Sequence, residues 1–192
     1  SKKNDNKPLL DFCTSLAKKL QQQQFQECPL RVHVDDRERS GGEKNWSWVK
    51  KGVPIRLEIG QREFASGNVS VSLRTQDYGI RENVPIADFI TNAAGTLADI
   101  QQHLLASSTK SLIDNTVFCA TPEEVAKTFK ANKMVCLYWH EHSETEDFLA
   151  SEYQASIRCL VGKDSPFPWD LQGSSCYHPD TQGRLALVAK AY

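Results

Sequence analysis

The sequence has no surplus of charge of either sign, because 23 lysines and arginines stand against 24 aspartates and glutamates, for a net charge of −1. Such a chain can bind nucleic acid only through a local basic patch, and DNA is not expected as a partner. It also lacks an apolar run long enough to span a bilayer. Residues 1–8 are polar and contain no apolar core of the kind that a signal peptide requires. We therefore expect neither a membrane partner nor a secreted protein.

The six cysteines contain no C-x-x-C pair and have no regular spacing. They stand at positions 13, 28, 119, 136, 159 and 176. In a chain of 192 residues such scattered cysteines are typical of reduced thiols in a cytoplasmic protein, whereas a disulfide framework is the less favoured alternative. Cys136 lies inside an apolar run and is predicted to be buried and unreactive. The sequence thus predicts a cytoplasmic protein.

Two common catalytic signatures are missing as well. No glycine-rich phosphate loop occurs. The triplet His140-Glu141-His142 lacks the His-Glu-x-x-His spacing with which a helix presents two histidines to zinc. We therefore assign no catalytic residue to this chain.

Hydrophobic periodicity divides the first part of the chain into helices and strands. Apolar residues recur at helical spacing from Leu9 to about Gln24, and again from Pro85 to about Leu104. Alternating apolar and polar residues predict strands elsewhere, separated by polar segments. The predicted strands are Arg31–Val34, Val53–Ile59 and Asn68–Arg74, and the predicted loop or hairpin tip is Thr75–Asn83.

A boundary is predicted between Ser107 and Ala120, and a second unit follows it. Its first helix is marked by Thr121-Pro122-Glu123-Glu124, a capping box with proline at the first helical position. The continuous apolar run Met134–Trp139 is typical of a strand covered on both faces. The remaining predictions are a helix at Glu144–Glu152, strands at Ile157–Leu160 and Leu185–Val188, and a loop at Val161–Ser175.

The stretch from Arg31 to Phe64 contains a dense set of motif residues. They are Val34-Asp35-Asp36-Arg37, Gly42, Lys44, Trp48, Lys51-Gly52-Val53-Pro54, Arg56, Glu58, Gly60 and Arg62. In this order the stretch resembles the anticodon-binding domain of prolyl-tRNA synthetases of the archaeal and eukaryotic type. The final Ala189-Lys190-Ala191-Tyr192 is similar to the C-terminal end of the same family. The resemblance covers nearly all of the chain.

The resemblance implies an α/β fold in two parts. Residues 1–112 would form a class II synthetase anticodon-binding domain, which is a mixed sheet flanked by helices. Residues 113–192 would form a small α/β C-terminal module. In the family a further strand precedes the first helix, so the first strand is expected to be missing here. The class II motifs that bind ATP are also absent, and this chain alone is not expected to activate an amino acid.

The same resemblance implies a function. The chain would be part of a proline–tRNA ligase and would recognise the anticodon of proline tRNA. The intact enzyme would use ATP and magnesium, and would form a homodimer through its catalytic domain. The terminal Tyr192 would reach back towards that domain, or else would be a frayed terminus. A second class of function is a non-catalytic paralogue that keeps the fold as an interaction module.

The resemblance also assigns residues to the reading of RNA. Arg56 would contact an anticodon guanine, because a guanidinium can meet the two acceptors of guanine at once. Arg81 best matches a second basic residue with that role in the family, and Arg74 is predicted on the polar face of a neighbouring strand. Stacking on bases and contact with phosphate are assigned to Trp46, Trp48 and Lys44.

A structural interpretation of these residues remains open. Trp48 could belong to the core, and Arg56 could pair with Glu58 or Asp36. One departure from the family pattern also matters, since Val49 replaces an acidic residue that accepts hydrogen bonds from guanine in the family. An apolar side chain cannot accept them, so discrimination between bases at that position is in doubt.

The C-terminal part of the family often holds a structural zinc on four cysteines. The corresponding positions here are His140, Thr145, Gly173 and Cys176, and neither threonine nor glycine is an ordinary zinc ligand. The alternative is a replacement set made of His140, His142, Cys176 and His178. We predict that the module folds by packing alone and binds no zinc.

Overall fold

The computed structural model describes residues 7–190, and these divide into two compact units. The first unit ends at Leu105 and the second begins at Ala106. The boundary expected at residue 112 lies in the same helix as this division. Both units combine helices with β-sheet, so the predicted α/β fold class is confirmed.

The first unit surrounds a small antiparallel sheet with helices. The helices are α1 (Lys7–Gln21), α2 (Gly41–Lys50), α3 (Gln61–Ser66) and α4 (Ile86–Asp114), and α4 continues into the second unit. The strands are β1 (Gln24–Phe25), β2 (Cys28–Pro29), β3 (Ile55–Glu58), β4 (Asn68–Leu73) and β5 (Glu82–Pro85). Strands β1 and β2 form a short hairpin, while β3, β4 and β5 pair in that order. The first helix and the strand predicted from Asn68 are thereby confirmed.

The apolar face of the β3–β4–β5 sheet packs against α1 and α4. Val69 and Val71 of β4 are buried together with Leu16 and Leu20 of α1 and Phe89 of α4. Side chains alternate along a strand, so the residues between these valines point to the other face. That second face carries the polar residues of the sheet.

Helix α2 begins at Gly41, directly after Ser40, in a stretch for which the sequence analysis predicts no helix. The Ser40 side chain accepts a hydrogen bond from the backbone of Glu43, and the Glu43 carboxylate accepts one from the backbone of Ser40. This capping box satisfies backbone N–H groups that have no partner inside the helix. Its Ser-x-x-Glu pattern is visible in the sequence, but the two glycines are weak helix formers and hide it.

The strand predicted at Arg31–Val34 is wrong. The segment 31–37 pairs with no strand among residues 7–190. Residues 31–35 line a cavity of about 790 Å³ whose walls also include residues of α1 and β3. Val32 packs against the buried cluster of this unit, which explains the alternating pattern. A strand also needs a neighbouring backbone for its hydrogen bonds, and alternation does not reveal whether one is present.

The second unit is a mixed sheet covered by two helices. Its elements are β6 (Thr116–Phe118), α5 (Pro122–Lys130), β7 (Met134–Trp139), α6 (Ser143–Tyr153), β8 (Ala155–Leu160), β9 (Gln172–Ser174) and β10 (Gln182–Lys190). The strand order is β6-β7-β10-β8, and β9 pairs with β10. Strands β6 and β7 are parallel and the other pairs are antiparallel. The predicted capping box at Thr121 starts α5, and the strand predicted at Met134–Trp139 is confirmed.

The core of the second unit is densely filled. Phe129 of α5, Leu137 of β7 and Leu149 of α6 are each at most 1% exposed. Cys136 is also fully buried, and burial raises the pKa of its thiol to about 12. The thiol therefore stays protonated and unreactive at neutral pH, as predicted. All six cysteines lie within residues 7–190 as free thiols.

The longest helix, α4, has 29 residues and extends past its predicted end near Leu104 to Asp114. It carries charged side chains, among them Asp88, Asp99 and Lys110. Within the described part of the chain no helix is both long and apolar enough to cross a membrane.

Candidate nucleic-acid interface

The polar face of the β3–β4–β5 sheet brings several of the predicted residues together. Arg56 lies opposite Ser72, while Glu58 lies opposite Ser70, which in turn pairs with Asn83 of β5. Directly paired residues project to the same side of a sheet. One face therefore presents an arginine, a carboxylate and small polar groups beside one another.

Arg56 is held at one end of its guanidinium only. Its Nε donates a hydrogen bond of 3.0 Å to Oδ1 of Asn45 on α2. Its two Nη groups have no hydrogen-bond partner within residues 7–190, and it pairs with neither Glu58 nor Asp36. The side chain is half-buried, so the contact with Asn45 orients a guanidinium whose outer donors remain available.

Arg81 is paired with a carboxylate of the same face. Its Nη1 lies 2.6 Å from Oε2 of Glu58, and both side chains are partly exposed. This ion pair neutralises Glu58, which would otherwise repel a phosphate. Because the pair is solvated, its net contribution to stability is small.

Arg74 lies just beyond the end of β4 and contacts the turn before β3. Its Nη1 donates to the carbonyl oxygen of Gly52 at 3.4 Å, and its backbone N–H donates to the carbonyl oxygen of Pro54. Gly52 has a φ of +69°, and a Cβ added there would lie 3.4 Å from the Arg74 guanidinium. Arg74 thus fixes the turn that leads into the strand of Arg56.

Trp48 and Lys44 tie α2 to the extended segment 31–37. The Trp48 indole N–H donates to Oδ2 of Asp35 at 2.7 Å, and the Lys44 ammonium donates to the carbonyl oxygen of Asp35 at 3.0 Å. Lys51 lies over the indole at 4.2 Å from its centre, and the His33 ring is 4.9 Å away. Trp48 is half-buried in these contacts. Its role in the structure is to position α2.

Asp35 is the acceptor at the centre of this junction. Arg37 donates to both of its carboxylate oxygens, at 2.8 and 2.6 Å. The Arg37 guanidinium, together with the Trp48 N–H, holds the pKa of the Asp35 carboxyl well below its usual range. A carboxylate that is always ionised can accept all of these bonds at once.

Trp46 faces the opposite way from Trp48 and is 49% exposed. Its ring meets that of Tyr78, in the loop between β4 and β5, at a centroid distance of 5.6 Å and an angle of 85°. The Lys50 ammonium, one helical turn further along α2, lies 5.7 Å from the centre of the Trp46 ring. These three side chains form the border of the polar face next to Asn45.

Asn45, Lys50 and Tyr78 are not predicted from the sequence to belong to this surface. Tyr78 is a lone aromatic residue in a segment predicted to be a polar loop, and that contrast is the signal that could have found it. The roles of Asn45 and Lys50 depend on the presence of α2, which the sequence does not predict clearly.

The positions that correspond to the family's zinc ligands do not offer four donors. A Cβ at Gly173 would lie 2.3 Å from the Tyr138 ring, so only glycine fits there. The Thr145 hydroxyl is buried and has no hydrogen-bond partner in the described part of the chain. Only His140 and Cys176 of the four positions carry side chains that zinc ordinarily takes as ligands. The residues present do not fit a closed zinc site, for which four deprotonated or neutral donors must converge.

Three histidines nevertheless lie close together near these positions. The His140 ring centre is 4.2 Å from that of His178 and 5.6 Å from that of His142. Desolvation, with smaller contributions from His178 and His142, lowers the pKa of His140. Among residues 7–190 no group of three potential ligands is arranged to hold a metal ion. Tyr192, for which a docked terminus is expected, lies outside the described residues.

Comparison with known proteins gives a consistent result. Residues 2–94 match the family model described as an anticodon binding domain. A proline–tRNA ligase from Akkermansia muciniphila is 35% identical over 179 residues, covering 90% of this chain and 35% of that protein. Those from Protochlamydia amoebophila and Rhodopirellula baltica are 34% and 31% identical, covering 82% and 96% of this chain.

A solved structure of prolyl-tRNA synthetase from Cryptosporidium parvum, complexed with L-proline and AMP, has the same fold. It superposes with a TM-score of 0.74 at 23% identity, covering 95% of this chain and 37% of the other. The chain thus spans about a third of the length of the curated relatives that it matches. Its first unit is an anticodon-binding domain of the kind that prolyl-tRNA synthetases carry.

Proposed function

We propose that this chain binds the anticodon of proline tRNA through the polar face of its first unit. The observation that supports this most directly is Arg56, whose guanidinium is oriented by Asn45 and keeps its Nη donors free of partners within residues 7–190. Such a fork matches the O6 and N7 acceptors of guanine. The relatives that match most of the chain are proline–tRNA ligases, which fits the same interpretation.

The proposal extends to the protein of which this chain is a part. Activation of proline with ATP and magnesium would take place in the remaining part of the enzyme, and that part would also form the homodimer. This chain would contribute binding energy and would hold the tRNA in register, without making or breaking a bond. A protein with this activity would act in the cytoplasm.

We assign the enzyme to the archaeal and eukaryotic type on the basis of the motif from Val34 to Arg62. The matching ligases come from bacterial organisms as well, so this assignment describes the form of the sequence and not its source.

The second unit is proposed to fold without zinc. Gly173, which packs beneath Tyr138, and Thr145 support this, because neither residue type is an ordinary zinc ligand. Metal analysis of the purified protein should then find well below one zinc per chain. One tightly bound equivalent would contradict the proposal.

The rival function is an interaction module that no longer reads an anticodon. The observation that favours it is Val49, which is half-buried on α2 and offers no side-chain acceptor where the family has a carboxylate. Arg56 favours the anticodon reader, since a structural arginine would be expected to have its Nη groups paired.

The deciding experiment is a titration of the full-length protein with proline tRNA and with the same tRNA carrying an exchanged anticodon, at one fixed salt concentration. We expect tighter binding of the cognate tRNA. Arg56→Ala should weaken that binding by about 1–3 kcal/mol, or roughly 5- to 150-fold, because it removes a bidentate contact to a base. Arg62→Ala, an exposed arginine of α3, is the control for the lost charge.

Two results would contradict the proposal. One is equal affinity for the cognate and exchanged anticodons. The other is a folded Arg56→Ala protein that binds cognate tRNA as well as the Arg62→Ala control. Either result would favour the interaction module.

A further inference from the structure

The aromatic pair at the border of the polar face is largely exposed. Tyr78 is 63% exposed and Trp46 is 49% exposed, and Ile80 beside them is 46% exposed. Trp48, only two residues from Trp46, has its ring covered and its N–H bonded. Exposed apolar side chains that cluster, unlike single ones, mark contact sites. The pair therefore has the character of a contact surface.

The loop that carries Tyr78 is held in place by its own hydrogen bonds. The Gln76 amide accepts from the backbone of Leu73 and donates to Glu82, which bridges the two ends of the loop. The carbonyl oxygen of Ile80 accepts from the Ser72 hydroxyl, so the far side of the loop is tied to β4. The backbone that carries Tyr78 is thus held by the loop, which limits the entropy lost when a ligand binds there.

The charges around the pair indicate what kind of ligand fits. Lys50 lies 5.7 Å from the centre of the Trp46 ring, and Arg56 is attached to Asn45, the residue before Trp46. The nearby Glu58 carboxylate is neutralised by Arg81. Perpendicular rings form a corner in which a planar group can stack on one ring while its edge meets the other. An aromatic corner next to cations is suited to an unpaired nucleotide.

We propose that Tyr78 and Trp46 hold one unpaired base of the bound RNA, a different base from the one that Arg56 contacts, with Lys50 beside its phosphate. This inference rests on the proposed function of the first unit, and it adds a second point of contact to it. Stacking tolerates any base, so this contact would set the position of the loop and not its sequence.

The test uses the full-length protein and an anticodon stem-loop RNA of proline tRNA. Tyr78→Ala and Trp46→Ala should each weaken binding by roughly 5- to 150-fold, the range expected for the loss of stacking on one base. Tyr78→Phe and Trp46→Phe should restore most of the affinity, because a ring remains. Phe148→Ala, which removes an exposed aromatic ring from the second unit, is the control.

Two further measurements separate stacking from charge and from general damage. A set of stem-loops, each with one abasic nucleotide in the loop, should include one member that wild type and Tyr78→Ala bind equally, since the stacked base is then already gone. Lys50→Ala should lower the slope of log affinity against log salt by about 1, whereas Tyr78→Ala should leave that slope unchanged.

The outcomes distinguish this inference from the proposed function. Loss of affinity in Arg56→Ala, with wild-type binding by both Tyr78→Ala and Trp46→Ala, would overturn the aromatic contact and leave anticodon binding intact. Wild-type binding by all three variants would overturn both. Loss in the alanine variants without recovery in the phenylalanine variants would also overturn the stacking contact.

Discussion

The two units differ in how completely they bury their apolar side chains. In the second unit Phe129, Leu137 and Leu149 are at most 1% exposed and share one core. In the first unit Ile55 and Leu57 of β3 are only half-buried, and a cavity of about 790 Å³ is lined by the same strand. Both units belong to the α/β class, so fold class alone does not determine how firmly a unit is packed.

The difference shows which kind of interaction stabilises each unit. Burial of apolar area dominates in the second unit, since this term is proportional to the surface removed from water. The first unit adds directed polar contacts, such as the hydrogen bonds from Trp48 and Lys44 to Asp35. Each such contact contributes less free energy than the burial of a large apolar side chain, but it fixes the orientation of a side chain. A ligand-binding surface requires fixed side-chain orientations more than it requires a closed core beneath it.

The largest expected effect comes from the same substitution made in both units. Leu137→Ala in β7 should lower the free energy of unfolding of the second unit by about 3–5 kcal/mol, because it empties a closed core. Leu57→Ala in β3 should cost the first unit less than about 2 kcal/mol, because the side chain is half-buried beside an existing cavity. Hydrogen exchange of the β4 and β10 amides measures the two units separately. Equal losses would contradict the contrast in packing.

A smaller effect tests the polar junction of the first unit. Asp35→Ala should lower the free energy of unfolding of that unit by about 1–3 kcal/mol, since the half-buried Trp48 N–H loses its acceptor. Asp36→Ala is the matched control, because Asp36 has no hydrogen-bond partner within residues 7–190. Protection of the α2 amides against exchange is the readout. A loss of protection in Asp36→Ala as large as that in Asp35→Ala would show that the junction is not specific to Asp35.

The smallest expected effect is a loss of stability at acidic pH, and the second unit should lose stability at a higher pH than the first unit. The pKa of His140 is lowered from 6.5 in the folded state, so the unfolded chain takes up the proton first as the pH falls. The neutral His140 contributes its full stabilisation above pH 6.5, and this stabilisation is lost as the pH falls below 6.5. The pKa of Asp35 is lowered from 3.8, so the first unit keeps the stabilisation supplied by the ionised Asp35 until the solution is much more acidic.

Thermal unfolding between pH 7 and 5 provides the measurement. The second unit should become less stable over this interval, and His140→Gln should flatten the dependence. If the variant shows the same slope as the wild type, another group is responsible for the acid sensitivity.

Much of the secondary structure could be predicted from local patterns. The apolar run of β7 and the capping box at Thr121 depend on neighbouring residues only, and both predictions are confirmed. The segment at Arg31–Val34 shows where such patterns fail, because a strand depends on a partner that the pattern does not contain. Gly41 and Gly42 are weak helix formers, and they obscure the capping box that Ser40 and Glu43 form at the start of α2.

The candidate surface could be predicted only in outline. The resemblance identifies Arg56 and both tryptophans as candidates, but it does not show that the two tryptophans have different roles. Trp48 finds its acceptor in Asp35, which is distant in sequence, while Trp46 meets Tyr78 across a loop. These pairings follow from the tertiary arrangement of α2, and spacing along the chain does not encode them.

The edge of the β3–β4–β5 sheet has a consequence for how the described part of the chain behaves at high concentration. Strand β3 lies at the edge of its sheet as described, and the segment 31–37 has no ladder partner either. Rows of unpaired backbone N–H and C=O groups attract extended segments of other molecules. Pro54 before β3 and the charges of Arg56 and Glu58 on its polar face blunt this tendency, as edge strands often require. These residues oppose the addition of an extended segment from another molecule at this edge of the first unit.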